Sequence, residues 1–287
     1  MSAEAPAADA RAGRPRLVGP VRGLFDVYLQ NARLAIAEQF QYRVANYFYM
    51  IGMIAEPVIY LVVWSTIAEQ QGGSVGGFTA GHFAAYYIVW TLVRSMNIVF
   101  TPYGWEWRIR EGDLSAALLR PLFPIVSDLG FFIGWKVVVI ILWLPLAGLL
   151  TLIFRPDLSP TLLQIGVFAV AIWGAYLIRS LNQSSIGMVT FWTTRVGPIF
   201  ELYITVELLL SGRLVPMSLM PDWVQSIAGV LPFYSTFGFP IEALVGNLST
   251  ERLLGGLAVQ AFWIIVGAIV LRLVWRYAIR RYSAVNG

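Results

Sequence analysis

Few side chains in this sequence can do covalent chemistry. There is no cysteine, one histidine (His82) and one lysine (Lys136). The lack of cysteine excludes a disulfide, a thiolate nucleophile and a thiolate metal site. A Ser-His-Asp hydrolase would have to use His82, and no second ligand stands at a usual metal-binding spacing from it. His82 therefore reads as an interfacial residue. A phosphate-binding loop would have to use Lys136. That residue lies in the apolar run FFIGWKVVV, with no Gly-x-x-x-x-Gly-Lys-Ser/Thr around it. The run GGSVGG at 72–77 has no adjoining basic residue and reads as a flexible connector, not a phosphate cradle. These observations predict a chain that binds no cofactor or metal and is not an enzyme by itself.

Three other groups of residues remain. Glu56, Arg94, Lys136 and Glu207 each interrupt an apolar run, and at a 1.5 Å rise per residue all lie roughly 12–15 Å along their segments. Charges at that depth are costly unless paired or facing water. They are expected to form a polar layer within a helical bundle or along a water-filled cavity. Alternatively Arg94 and Lys136 snorkel individually to the headgroups; Glu56 and Glu207 are too short for that. The second group lies at 106–121. Glu106, Trp107, Arg108, Arg110, Glu111 and Asp113 precede an apolar face of Leu114, Leu118 and Leu119. Gly112-Asp113 marks a helix start, and Arg120-Pro121 ends it. Such a short amphipathic helix packs on its own bundle or on lipid, or enters a groove of a partner. The third group is aromatic: Trp223, Phe233, Tyr234 and Phe237. It reads as interfacial anchoring or as an outer gate closed by ring packing.

The elements that position these groups follow from composition. Of 287 residues, 58% are hydrophobic and 13% charged, against about 45–50% and about 25% in soluble domains. That excludes a water-soluble enzyme and a disordered protein. The 11 Trp, 13 Tyr and 17 Phe suit bilayer interfaces. A helical span takes about 20 residues, so the chain is expected to be all-α, a single membrane domain over 46–287. A disordered cytoplasmic tail is predicted over 1–20. An interfacial amphipathic helix is predicted over 21–45, with Leu24, Phe25, Tyr28, Ala32, Ala35 and Ile36 on one face.

Six spans are predicted, at about 46–67, 82–103, 128–154, 161–178, 196–212 and 253–271. The net charge of +4 matters here for orientation rather than nucleic-acid binding. Arginines concentrate in the N-terminal segment, in 104–127, after 179 and in the C-terminal tail, which places both termini inside. Going from inside at 179 to inside at 272 takes an even number of crossings, so one joins the last span and is assigned to 196–212. Short re-entrant helices at 221–231 and 233–246 then precede the last span on the outer side.

EGDLSAALLRPLFP (111–124) resembles the Gly-x-Leu-x-x-x-Leu-Leu-Arg-Pro segment of type-2 ABC exporter permeases. FWTTR (191–195) and SLMPDWVQSIAGVLPFYSTFGFPIEALVG (218–246) are similar to that family too. The resemblance touches most of residues 30–280. One departure is Ser115, where the family pattern carries an acidic residue; Asp113 stands two positions earlier. The resemblance implies a cell-membrane permease that dimerises with an identical or homologous permease and binds two copies of a separate ABC ATPase. ATP and Mg would reside in that partner. It also implies that Glu111, Asp113, Leu114, Leu118, Leu119 and Arg120 form the ATPase-coupling surface, and that a hydrophobic or amphipathic substrate moves outward. The alternative is an ion-coupled secondary transporter using the intramembrane glutamates, although the second half shows no obvious inverted repeat of the first.

Overall fold

The computed structural model describes residues 20–119, 123–193, 195–246 and 248–282. All but the last residue of the expected 1–20 tail lies outside them, as do Arg120, Pro121 and the side chains of Leu24 and Phe25. Among the described residues there are eleven α-helices. Four segments are long and apolar enough to cross a bilayer: Val44–Gln70, Pro124–Phe154, Leu162–Phe191 and Thr250–Arg281. Large apolar side chains stand largely outward on them, such as Ile59, Leu152 and Phe262. A surface of that kind is stable only against lipid or another protein.

Helix α1 (Pro20–Gln41) breaks at Tyr42, and α2 runs Arg43–Gln70. Ala32 and Ala35 are buried, on the face expected from the sequence. They do not pack on lipid. The face lies lengthwise along α6 (Pro124–Phe154), where Gly130 abuts Tyr28 and Gly134 abuts the Ala32 backbone. Ile36 packs farther along, on Val138 and Leu142. Two glycines four apart form a flat groove into which a neighbouring backbone can sink. A side chain at Gly134 would displace the main chain of Ala32.

After α2 the GGSVGG run forms a two-stranded hairpin, with Ser74–Val75 (β1) antiparallel to Phe78–Thr79 (β2). The expected connector thus takes a defined hairpin conformation. Gly76 and Gly77 have φ of 55° and 85°, and two consecutive left-handed residues suit a tight hairpin. Thr79 caps α3 (Ala80–Met96), accepting from the His82 backbone N at 3.2 Å. The His82 ring also contacts that hydroxyl at 2.8 Å, so this histidine serves the helix start.

Helix α3 is apolar all round and is the centre of the bundle, buried almost continuously from Phe83 to Val93, as that pattern demands. It ends at Met96, short of the expected 103. Asn97 turns its amide to the Thr236 carbonyl at 2.6 Å, and Pro102 disfavours helical backbone at Thr101. A separate helix α4 (Pro102–Arg110), not expected from the sequence, is followed by the short α5 (Leu114–Leu118), which starts where Gly112-Asp113 marked a helix start. Gly112, at φ 82°, divides them.

Helix α6 opens at Pro124 rather than 128, with proline at its first turn, where no N–H is needed. Helix α7 (Leu162–Gly187) begins at a reciprocal Thr161–Gln164 cap and runs well beyond the expected 178. Helix α8 (Gly197–Leu210) has 14 residues, about 21 Å of rise against a hydrocarbon core of about 30 Å. It stops at Ser211-Gly212, where the Gly238 amide donates to the Ser211 carbonyl at 2.7 Å. The segment between α8 and the last long helix carries two short helices, α9 (Asp222–Val230) and α10 (Gly238–Val245), close to where the sequence placed them. Phe239, Ile241 and Ala243 of α10 are buried against α3 and α7, so the segment is inserted into the bundle. Helix α11 (Thr250–Ala278), capped by Ser249, closes the fold along α7.

Candidate functional site

The intramembrane charges assemble in a more specific way than a common layer. Glu56 of α2 is shared. It forms an ion pair with Arg94, near the end of α3, and accepts from Arg213 Nη2 at 3.1 and 3.3 Å. The Trp90 ring lies 5.2 Å from the Arg94 guanidinium and 5.7 Å from that of Arg213, stabilising cations that lack full hydration. Glu207 of α8 is 0% exposed and sits 3.1 Å from Arg179 Nη2 of α7. That oxygen is close enough for an ion pair but lacks hydrogen-bond alignment. Arg179 is held further by Gln183, whose amide oxygen, turned toward it, accepts at 2.9 and 3.2 Å.

Lys136 of α6 joins neither glutamate. It is fully buried, donates to the Ile98 carbonyl at 2.5 Å and lies 4.2 Å from the Tyr176 ring. That carbonyl is free because α3 has just ended, and a cation is favoured at the carbonyl end of a helix. Of the four residues expected as a layer, only Glu56 and Arg94 pair with each other. Lys136 does not snorkel. Arg179 and Arg213 are the cations that sequence reasoning missed, having been assigned to loops. A signal for Arg179 was present: the polar run RSLNQSS (179–185) keeps helical spacing, with Arg179 and Gln183 one turn apart.

The second region lies beyond the ends of α3 and α6. Helix α4 is fastened on several sides. Arg108 makes a two-pronged ion pair with Asp128 of α6 at 3.0 and 2.9 Å. Glu106 accepts from the Val196 amide, at the start of α8, at 2.8 Å. The buried Trp105 indole donates to Ser184 of α7 at 3.3 Å. Beside it, Ser115 of α5 meets the Tyr282 hydroxyl beyond α11 at 2.7 Å. The segment 102–119 is thus keyed to α6, α7, α8 and the end of α11.

Its leucines divide. Leu114 is 0% exposed and packs with Trp105, Ile125, Met188 and Leu271 in the chain's own core. Leu114 thus follows the reading in which the helix packs on its own bundle, and not the one that places it on a partner-facing surface. Leu118 is partly buried on the same cluster. Leu119 is 88% exposed, and Trp107 is 61% exposed. Glu111 and Asp113 are exposed as well, while Arg120 lies outside the described residues.

The aromatic residues expected as an outer gate do not form one cluster. Trp223 faces outward, Phe233 packs on Tyr203 at 5.4 Å, and the Tyr234 hydroxyl donates to Glu242 at 2.6 Å. Phe237 is buried in the central core beneath Arg179 and Arg213. Among the described residues no three His, Cys, Asp or Glu side chains gather as a metal site.

Long helices with outward apolar side chains, packed around a buried central helix with a short-helix segment inserted before α11, define a helical membrane protein. The sequence pattern of the ABC-2 family transporter proteins matches residues 54–285, and the chain belongs to that family. Its members are membrane components that work with an ATPase subunit and are not themselves the ATPase. No curated protein sequence matches the chain. The family does not favour the ion-coupled alternative.

Proposed function

We propose that this chain is the permease subunit of an ATP-driven exporter. Two permeases, identical or homologous, would form the path at their interface, and two ATPase subunits would dock on the segment 102–119 from the cytoplasm. The observation that carries this reading is the fastening of that segment. Work from another subunit must enter by contact, and a surface tied to four other helices converts a small displacement into bundle movement. Six crossings fit this reading: α2, α3, α6, α7, α8 with the outer segment, and α11. Both termini then lie in the cytoplasm, and the membrane is the cell membrane. Arg195, Arg276, Arg280 and Arg281 support that orientation. Arg179 and Arg213 no longer bear on it, because they belong to the charged cluster.

Purification tests the partnership. The tagged chain, extracted in mild detergent from cells that express it with its ATPase, is expected to carry that ATPase and to hydrolyse ATP only in its presence. Recovery of the permease alone, from extracts that contain the ATPase, would count against the reading. Orientation is tested by thiol labelling, which the absence of native cysteine makes clean. Ser74→Cys, exposed in the hairpin, is expected to react with an impermeant maleimide on intact cells. Leu119→Cys is expected to react only after the membrane is opened. The reverse pattern would invert the topology.

A further inference from the structure

One cavity, of about 230 Å³, is lined by Arg94, Arg179 and Arg213 together. The three guanidiniums arrive from α3, from α7 and from the turn after α8. Glu56 and Glu207 are the carboxylates that reach them. Three cations against two anions leave a positive charge uncompensated, whatever the state of Lys136, which binds the carbonyl of Ile98, another lining residue. Each guanidinium carries five N–H donors. Among the described residues the hydrogen bonds of Arg94 and Arg213 go only to Glu56, and the buried Arg213 Nε has no acceptor. The arginines are not sealed, since their side chains keep 24, 12 and 16% exposure. Excess positive charge with spare donors, within an apolar bundle, is costly until an anion arrives. The remaining wall is mixed, with Ile98, Val99, Phe200 and Phe237 beside the polar Asn97, Thr101 and Gln183.

We propose that this cavity binds an oxyanion, phosphate or carboxylate, carried as the headgroup of an amphipathic molecule. Guanidiniums match such groups with paired donors, and the apolar part of the wall, Ile98, Val99, Phe200 and Phe237, suits the first carbons of a chain. The volume accommodates a headgroup and several carbons but not a whole lipid, since drug-sized sites run from about 300 to 1,000 Å³. The proposal rests on the export reading in one respect, that the bound anion is cargo. Binding itself needs no ATP, so an equilibrium measurement separates failure of the site from failure of that reading.

The experiment uses the purified full-length chain in a nonionic detergent, with radiolabelled decyl phosphate as probe. Saturable binding is expected, weakened by salt and not displaced by decyltrimethylammonium. Arg213→Gln leaves Glu56 paired with Arg94 and is expected to lower affinity by about tenfold or more, the usual cost of a lost hydrogen bond between charged groups. Arg213→Lys is expected to recover most of it. A second variant avoids the ion pairs. Thr101 lines the cavity and caps α4, and aspartate is an equally good cap. Thr101→Asp therefore keeps the fold, confirmed by gel filtration, while adding a negative charge to the wall, and is expected to weaken binding. Inorganic phosphate distinguishes the sources. Displacement by unlabelled decyl phosphate, but not by inorganic phosphate at similar concentration, marks an amphiphile's headgroup, the expected result. Displacement by inorganic phosphate at similar concentration marks a free-anion site and overturns the amphipathic part. Absence of saturable binding, or unchanged affinity in both Arg213→Gln and Thr101→Asp, overturns the site itself.

Discussion

Glu207→Leu is expected to cost about 3–5 kcal/mol, the usual penalty for leaving a buried charge without its partner. Glu207 is fully enclosed, and its partner Arg179 is 12% exposed. Without the carboxylate, Arg179 keeps Gln183 and the Phe237 ring, 5.3 Å away, and neither is an anion. Glu207→Gln preserves the shape and a hydrogen-bond acceptor, so its cost is expected to be smaller. The informative comparison is the double replacement Arg179→Leu with Glu207→Leu. Buried pairs exchanged for apolar side chains of similar size are often nearly neutral. The double variant is therefore expected to be more stable than Glu207→Leu alone, with a coupling within the range of about 0.5–3 kcal/mol for residues in contact. The measurement is the thermal unfolding midpoint in detergent, read by loss of the monodisperse peak after heating. A single Glu207→Leu variant with an unchanged midpoint would show that the pair does not hold α7 to α8.

The same pair shows why the sequence disclosed some elements and concealed others. A window of apolar residues marks a helix that meets lipid, so the cores of α2, α6, α7 and α11 were plain. Such a window ends where polar residues begin, and α7 does not. Its stretch from Arg179 to Ser185 is polar yet helical, because protein rather than lipid surrounds it. Ser180, Gln183 and Ser184 are buried. Arg179 consequently looked like a loop residue and an orientation marker. Arg213 was concealed by the early end of α8, which brings a residue expected outside into contact with Glu56. For the four expected charges, depth gave a shared level but not the partners, so the meeting of Glu56 with Arg94 was not legible. Nor was the destination of Lys136, because its acceptor is a main-chain carbonyl exposed by the end of another helix. The apolar spacing of α1 correctly gave its buried face. What covers that face depends on Gly130 and Gly134, which hydropathy does not weigh.

Leu119 and Trp107 are expected to carry the contact with the ATPase, and Leu114 is expected to be needed for the permease itself. The three lie within one short stretch, yet Gly112, at φ 82°, turns α5 relative to α4 and sends Leu114 into the core while Leu119 stands out. Leu114→Ala removes a fully buried side chain, at about 2–5 kcal/mol, so it is expected to lower the permease's own unfolding midpoint. Any loss of ATPase in that variant would follow from damage to the platform. Leu119→Ala removes nothing from the core. Burying a leucine on docking is worth roughly 1.5–3 kcal/mol, or about ten- to a hundredfold in affinity. Trp107→Ala should weaken docking comparably or more, since tryptophan is over-represented among residues that dominate interfaces. Glu111 and Asp113, exposed beside them, should each matter less and give the contact a salt dependence. The decisive variant is Leu119→Ala with Trp107→Ala. It is expected to reach the membrane in normal amount, to unfold at the unaltered midpoint and to lose ATPase recovery in pull-down from detergent extract. Undiminished recovery with an intact fold would move the docking surface off 102–119, to α1 or to the turn between α7 and α8. Leu114→Ala cannot substitute for this test, because a side chain that fastens α5 to Trp105 and Leu271 reports on the fold before it reports on a partner.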